Sequence, residues 1–397
     1  MKKTNKRQTK RQTKRQTKRQ TKKQTKGQLD KDTKVSIKAG LQSNTISKMI
    51  GRGSFGCVFR PNIPCKKDVK NKKNVIRTKN KVSKVMLQDS TDEIKKEYHN
   101  NLKIKKINGY KDWAYIWDKV CYPPKYINMK KLSEIDKCMK KFKKNEPEYN
   151  KNSYMMIGDF GGSPLMEYCG KMIKKKTFNS LLSFKKLFLK LFKNLEPLFI
   201  GLKSLQKHKI CHQDLSYGNI MYKDNKFFMV DFGLTCSFTD AKSFKKRSYS
   251  QLNGSRIYDP YPYDYIFCFG NKKELNKELY SFKRGFFKTH HDDYTRIHHG
   301  ILKRNDISEQ IIEDLGKVNN NKNEVIKKLD TYSVGILLLT LLCDVADNYK
   351  VSNKQIYKCF DQPELQNHLA LLKDMTEYKS KSRITPDEAY KRFMSLL

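Results

Sequence analysis

Several things are missing from this sequence, and each absence removes a class of protein. The longest apolar run, Val334-Gly335-Ile336-Leu337-Leu338-Leu339-Thr340-Leu341-Leu342-Cys343, falls well short of the roughly 20 residues that a membrane-spanning helix needs, so no membrane partner is expected. The first residues carry no apolar h-region and no small-residue cleavage site, and no secretory signal is expected. The ten cysteines occur singly, with no C-x-x-C pair and no paired metal-ligand spacing. That pattern argues against a disulfide framework and against a zinc site. It favours a reducing intracellular compartment, such as cytoplasm or nucleus.

Acidic residues are scarce as well. Against 84 Lys and Arg there are 40 Asp and Glu, a formal charge of +44. Residues 4–26 repeat a Lys-Arg-Gln-Thr tetrapeptide with neither an acidic nor an apolar member. A segment with nothing to bury is expected to stay disordered, and residues 1–43 read as a basic tail and linker. About 13 of the positive charges lie in residues 1–26, leaving about +31 on the rest. Such a tail is either a solvated extension or a sequence-independent grip on nucleic acid or another polyanion, and it could also serve as a nuclear import signal.

What the chain does contain is concentrated chemistry. His212-Gln213-Asp214-Leu215-Ser216-Tyr217-Gly218-Asn219-Ile220 precedes Asp231-Phe232-Gly233 at short range. Phosphoryl transfer from ATP needs a carboxylate to orient the acceptor, and an amide and a second carboxylate to hold magnesium. Asp214, Asn219 and Asp231 supply these in order. Between them, Ile220-Met221-Tyr222 and Phe227-Phe228-Met229-Val230 flank a polar turn, the pattern of a hairpin.

Earlier in the chain lies Gly51-Arg52-Gly53-Ser54-Phe55-Gly56-Cys57-Val58-Phe59. In a dinucleotide fold the third glycine would open a helix. Here a strand continues toward Pro61 and Pro64, so a glycine-rich strand-turn-strand over ATP phosphates is expected, with Ile50 to its N-terminal side. After a Lys-rich stretch expected to be an exposed loop, Lys81-Val82-Ser83-Lys84-Val85-Met86-Leu87 alternates as a short strand carrying Lys84. Ser90-Thr91-Asp92-Glu93 then opens a helix. On that helix Glu97 is the expected partner of Lys84, with Glu93 the alternative. Residues 113–121 and 154–157 read as strands. Apolar spacing from Phe184 to Leu205 reads as a helix leading to His212.

Taken together these residues resemble the eukaryotic-type protein kinase family over most of residues 46–397. Asp330-Thr331-Tyr332-Ser333-Val334-Gly335 resembles its D-x-x-S-x-G helix start, and the resemblance implies that Asp330 anchors the catalytic-loop backbone. Arg383-Ile384-Thr385-Pro386-Asp387-Glu388-Ala389 resembles its C-terminal R-x-T-x-x-E-A segment, implying that Arg383 pairs with Asp264 of Tyr261-Pro262-Tyr263-Asp264-Tyr265. The glycine loop and the Lys/Asn-rich composition look especially like serine/threonine kinases of giant DNA viruses, for which host cytoplasm, nucleus or virion would be the location.

The resemblance implies an α+β, two-lobed fold: a β-rich N-lobe over about 44–157, a helical C-lobe over about 163–397, and insertions at about 121–152 and 266–329. It implies ATP and Mg2+ as cofactors and protein substrates as partners. Lys84 and Glu97 would position the phosphates, residues 50–58 (Ile50, Gly51, Arg52, Gly53, Ser54, Phe55, Gly56, Cys57, Val58) would cover them, Asp214 would orient the hydroxyl, and Asn219 and Asp231 would hold magnesium.

Three departures stand out. Gln213 replaces the arginine that receives an activation-loop phosphate in many members, so activity independent of such phosphorylation is expected. Ser216 replaces a lysine that contacts the transferring phosphate, which removes a cation and leaves a small-molecule phosphotransferase open as an alternative. The long 266–329 segment carries His290-His291-Asp292-Asp293 and His298-His299; His291 and His298 could share a helix face, and an ordinary surface helix is expected rather than a metal site. A pseudokinase or polyanion-binding scaffold is the remaining alternative.

Overall fold

A computed structural model describes residues 46–53, 55–70, 78–87, 91–174, 181–252, 261–268, 300–303, 321–348 and 352–397. The basic tail, Ser54 and the histidine cluster at 290–299 lie outside the described residues. The protein is α+β, with a five-stranded antiparallel sheet and many helices. The chain divides into two units, one of residues 1–89 with 119–157, the other of 90–118 with 158–397.

The first unit is built on the sheet, in the order β1 (Lys48–Arg52), β2 (Gly56–Arg60), β3 (Lys81–Met86), β5 (Tyr154–Asp159), β4 (Trp117–Cys121). β3 runs between β2 and β5, and Val82 to Met86 are all buried, so that side chains on both faces of this strand are covered. Its polar Ser83 is satisfied by Ile63, whose N–H donates to the hydroxyl at 2.8 Å. Gly56 sits opposite Met86, and a Cβ there would lie 2.0 Å from the Val85 carbonyl oxygen, so no other residue fits without moving β3.

The 121–152 stretch, expected as an insertion, packs into the core of this unit. It forms the helices Tyr126–Leu132, Ile135–Phe142 and Glu146–Asn152, the last closed by a capping box between Asn145 and Glu148. Met129, Ile135, Met139 and Tyr149 pack with Phe59, Val85 and Met155 in one core. Ser47 bonds to this segment on both sides, its N–H to the Leu132 carbonyl and its carbonyl to the Glu134 N–H. The Glu134 carboxylate in turn accepts from the Met49 N–H. Most of the lysines are exposed while Met129, Ile135, Cys138, Met139 and Tyr149 are buried, so the basic composition hid a core element.

Two disulfides fasten this unit, Cys57 to Cys138 and Cys65 to Cys121. This corrects the expectation of no disulfide framework. The partners are 81 and 56 residues apart, so pairing arises from the packing of the helical segment on the sheet and leaves no local spacing to read. The cysteine argument for a reducing compartment loses its premise with it. The stretch after Cys65 also differs from the expected loop, beginning as the helix Lys66–Lys70.

The second unit is mostly helical. In place of one helix from Phe184 to Leu205 there are two, Leu181–Asn194 and Glu196–Lys207. Pro197 lies in the first turn of the second, where its missing N–H costs nothing, whereas in a continuous helix it would break the ladder. Glu196–Lys207 buries Leu198, Phe199, Leu202 and Leu205, and Phe199 stacks on Phe393 of helix Pro386–Ser395 with ring centroids 4.0 Å apart. Helix Lys322–Asn348 joins the same core through Val334, Leu337 and Leu338. Among the described residues no helix is long and apolar enough to cross a membrane.

Candidate active site

The site is assembled on short elements of the second unit. β7 (Ile210–Cys211) pairs antiparallel with β10 (Cys236–Ser237), and the hairpin of β8 (Ile220–Lys223) and β9 (Lys226–Met229) lies between them in sequence. Asp224 and Asn225 both take positive φ, 51° and 59°, as a two-residue hairpin turn requires and as these residue types tolerate. A hydrogen bond from the Val230 N–H to the Asn219 carbonyl ties the two ends of the hairpin together. The segments carrying Asn219 and Asp231 are thereby fixed to each other.

The loop before the hairpin is held from one buried carboxylate. Asp330 accepts from the backbone N–H groups of His212, at 2.6 Å, and Gln213, at 3.0 Å. These are the bonds that the resemblance implies. Burial raises the Asp330 carboxyl above the usual carboxylate value, while the His212 charge and the two backbone donors pull it down. His212 is buried against Phe232, and its Nε2 lies 3.1 Å from the Val230 carbonyl oxygen. Its side chain thus serves as a packing piece between the loop and the Asp231 turn.

Asp214 and Asn219 meet directly. The Asn219 amide donates to the Asp214 backbone carbonyl at 2.9 Å and to its carboxylate at 2.7 Å. Since the nitrogen is used in this way, the amide oxygen is the atom Asn219 has for a cation. Asp231 has φ 61°, and its Oδ1 accepts from the Gly233 N–H at 3.3 Å. Glu97, on helix Thr91–Lys105, is 5% exposed, and its carboxyl carbon is 3.9 Å from where a Cβ on Gly233 would stand. Glu93 on the same helix is exposed.

Sequence reading missed four residues here. The Asn100 amide donates to the Phe232 and Thr235 carbonyls at 2.9 and 2.8 Å, lashing helix Thr91–Lys105 to the Asp231 turn. A consecutive Asn100-Asn101 pair inside a helix, where asparagine is a poor former, was the signal available. The Tyr261 hydroxyl donates to the Gln213 carbonyl, and the Tyr265 hydroxyl donates to the Gln213 Oε1 at 3.2 Å. Burial raises both phenols, Tyr261 and Tyr265, well above their ordinary value, so they remain donors. Arg247, on helix Ala241–Leu252, reaches Asp214 at 4.0 Å. Nothing in the local sequence marks it, since it is one cation among many.

Gln213 holds an unusual backbone, φ 65°, and its amide donates to the Leu234 carbonyl and to the Cys236 sulfur, each at 2.9 Å. Burial pushes the Cys236 thiol up to about 12, so that sulfur is neutral. A neutral amide here binds neutral groups of the following segment.

Farther off, Arg383 and Asp264 form the expected pair at 2.9 Å, both side chains fully buried. Asp264 also accepts from the Ser380 N–H, and Arg383 donates to the Glu377 and Tyr378 carbonyls. This satisfies most of the polar atoms that a buried pair leaves over.

In the first unit, Lys84 is on β3 opposite Val58 and is 6% exposed, an unusual burial for its type. Ile50, Gly51 and Arg52 end β1, Gly53 and Phe55 lie in the turn, and Gly56, Cys57 and Val58 begin β2. A Cβ on Gly53 would meet nothing within 4 Å, in contrast to Gly56. The Cys57 side chain is in its disulfide and the core, leaving only its backbone to approach a ligand.

No protein-family model matches the sequence, and no curated protein matches it.

Proposed function

We propose that this chain is an ATP-dependent protein kinase, serine/threonine-directed, with a two-lobed protein kinase-like fold. The observation that carries the reading is the loop 212–219. Its backbone is suspended from the buried Asp330, its Asp214 carboxylate is clamped by the Asn219 amide, and the Asn219 carbonyl is bonded to the N–H of Val230, the residue before a positive-φ Asp231. Catalysis of phosphoryl transfer is mostly positioning and charge neutralisation, and this arrangement is rigid where both are needed.

In this proposal Asp214 orients the acceptor hydroxyl and takes its proton. The oxygen donors of Asn219 and Asp231 suit magnesium, a hard cation bound through few protein ligands together with phosphates and water. The ion would neutralise charge on the ATP phosphates. The phosphate-positioning roles of Lys84 and Glu97 and the covering role of residues 50–58 belong to the same proposal. Gly53, with no protein atom near its open side, is the glycine best suited to close approach by a phosphate.

One observation favours a second reading. Ser216 leaves this part of the loop without a cation of its own, as would suit transfer to a small hydroxyl compound. A reaction with labelled ATP and magnesium on generic acidic and basic proteins, compared with sugar and aminoglycoside acceptors, separates the two. Phosphoserine or phosphothreonine formation supports the protein kinase, and label only on small acceptors supports the alternative. Salt-sensitive polyanion binding without any transfer would instead favour the scaffold.

A further inference from the structure

In the proposed reaction Asp214 lies where the phosphoryl group is received, and the Glu97 carboxyl lies close to Gly233 in the Asp231 turn. Charge develops on the transferred phosphoryl oxygens and on the bridging oxygen that leaves with ADP, and a site of this kind needs a fixed cation besides the metal. Ser216 brings none.

Arg247 supplies a cation at that place. Its guanidinium stands 4.0 Å from the Asp214 carboxylate, with side chains 30% and 20% exposed, respectively. It is held there from two directions. Its Nε donates to the Tyr261 hydroxyl at 2.8 Å, and the group lies over the Tyr261 ring, 5.5 Å from the centroid. Tyr261 is itself bonded to the carbonyl of Gln213, the residue next to Asp214. The helix beneath is fixed by Phe244 and Ser248, both buried, the latter bonded to the Tyr265 carbonyl. A long side chain on a surface helix would ordinarily lose much freedom to reach one point. This one is aimed by a buried tyrosine that also fixes the loop it points at.

We propose that Arg247 is the cation of the transfer step, contacting the transferred phosphoryl oxygens beside Asp214 in place of the side chain that Ser216 lacks. The inference rests on the kinase reading and deepens it. In the step, the acceptor oxygen forms a bond to the γ-phosphorus while the bond to the β,γ-bridging oxygen breaks. The hydroxyl proton passes to Asp214, and the electron pair leaves on ADP. Arg247 gains no proton and loses none; it stabilises the negative charge spread over the phosphoryl group.

The test uses the full chain with magnesium, labelled ATP and a protein acceptor, alongside nucleotide affinity by displacement of a fluorescent ATP analogue. Arg247→Gln keeps a hydrogen-bonding side chain and removes the charge. It is expected to lower kcat by about 10²-fold or more while changing nucleotide affinity less than about threefold. Arg247→Lys should retain part of the rate. Adding Ser216→Lys to Arg247→Gln should recover at least about tenfold, because a cation is restored within the same loop as Asp214.

Unchanged or increased transfer in Arg247→Gln overturns the proposal, an increase meaning that Arg247 masks Asp214. So does a loss that Ser216→Lys leaves unrescued and that comes with a lower melting temperature, since that marks a purely structural contact. If the wild-type chain transfers no phosphate, or transfers it equally well as Asp231→Ala, the kinase reading fails and this inference with it. Transfer that depends on Asp231 and ignores Arg247 overturns this inference alone.

Discussion

Replacing Asp330 probes the support beneath the loop 212–219. Asp330→Ala strands the N–H groups of His212 and Gln213, which donate to the carboxylate at 2.6 and 3.0 Å in a site where His212 is fully buried and Gln213 is 2% exposed. Water cannot reach them at no cost. A hydrogen bond to a charged group contributes about 1.5–3 kcal/mol, and two of them set an expected loss of about 3–5 kcal/mol, since Asp330 also carries its own desolvation cost. For a unit of this size that corresponds to a fall in melting temperature of roughly 10 °C. Asp330→Asn has the same shape but offers one acceptor, and its NH2 would face the second N–H. Its loss should be about half to two-thirds of the alanine value. Urea denaturation followed by circular dichroism gives the free energies. Amide exchange at residues 210–213 tells whether the loop itself loosens. If both variants stay within about 0.5 kcal/mol of wild type, with unchanged exchange at His212 and Gln213, the suspension of the loop from Asp330 is refuted.

Other consequences are equally direct. Gly56→Ala forces a Cβ to within 2.0 Å of the Val85 carbonyl oxygen and should cost about 2 kcal/mol or more, whereas Gly53→Ala should leave the melting temperature unchanged and weaken ATP binding. Reduction of the Cys57–Cys138 and Cys65–Cys121 bonds should lower stability by about 2–4 kcal/mol per bond, read by thermal melts with and without reductant, and peptide mapping without reduction should find these two pairs. Phosphatase treatment should leave transfer activity intact, because the Gln213 amide already binds the Leu234 carbonyl and the Cys236 sulfur; a large loss would show that a phosphate is needed after all.

The hairpin between Asn219 and Asp231 was legible in the sequence because it is local. Residues 219–231 are one continuous stretch whose apolar runs and polar turn sit within a few residues of their pairing partners. Asp330 and Arg383 were legible only through resemblance, because no periodicity connects a carboxylate to a backbone 118 residues away. Pairings set by three-dimensional packing escaped altogether. The two disulfides join cysteines from two strands, a loop and a helix, and the helices of 121–152 hid their apolar faces under lysine-rich composition. The break at Leu195 is a different kind of miss: apolar spacing continues through it, and only Pro197 marked the new start. Arg247 could not be found in advance, since in a chain with 84 basic residues it is set apart only by what it touches in three dimensions, Tyr261 and Asp214 among them.

The most direct test of the central claim is a magnesium-dependent transfer reaction with γ-labelled ATP, run on wild type and Asp231→Ala with a generic protein acceptor. Label on serine or threonine from the wild-type chain, lost by at least about 10³-fold in Asp231→Ala while the variant stays folded, is the predicted result. Equal labelling by the two proteins, or none by either in the presence of magnesium, would contradict the account.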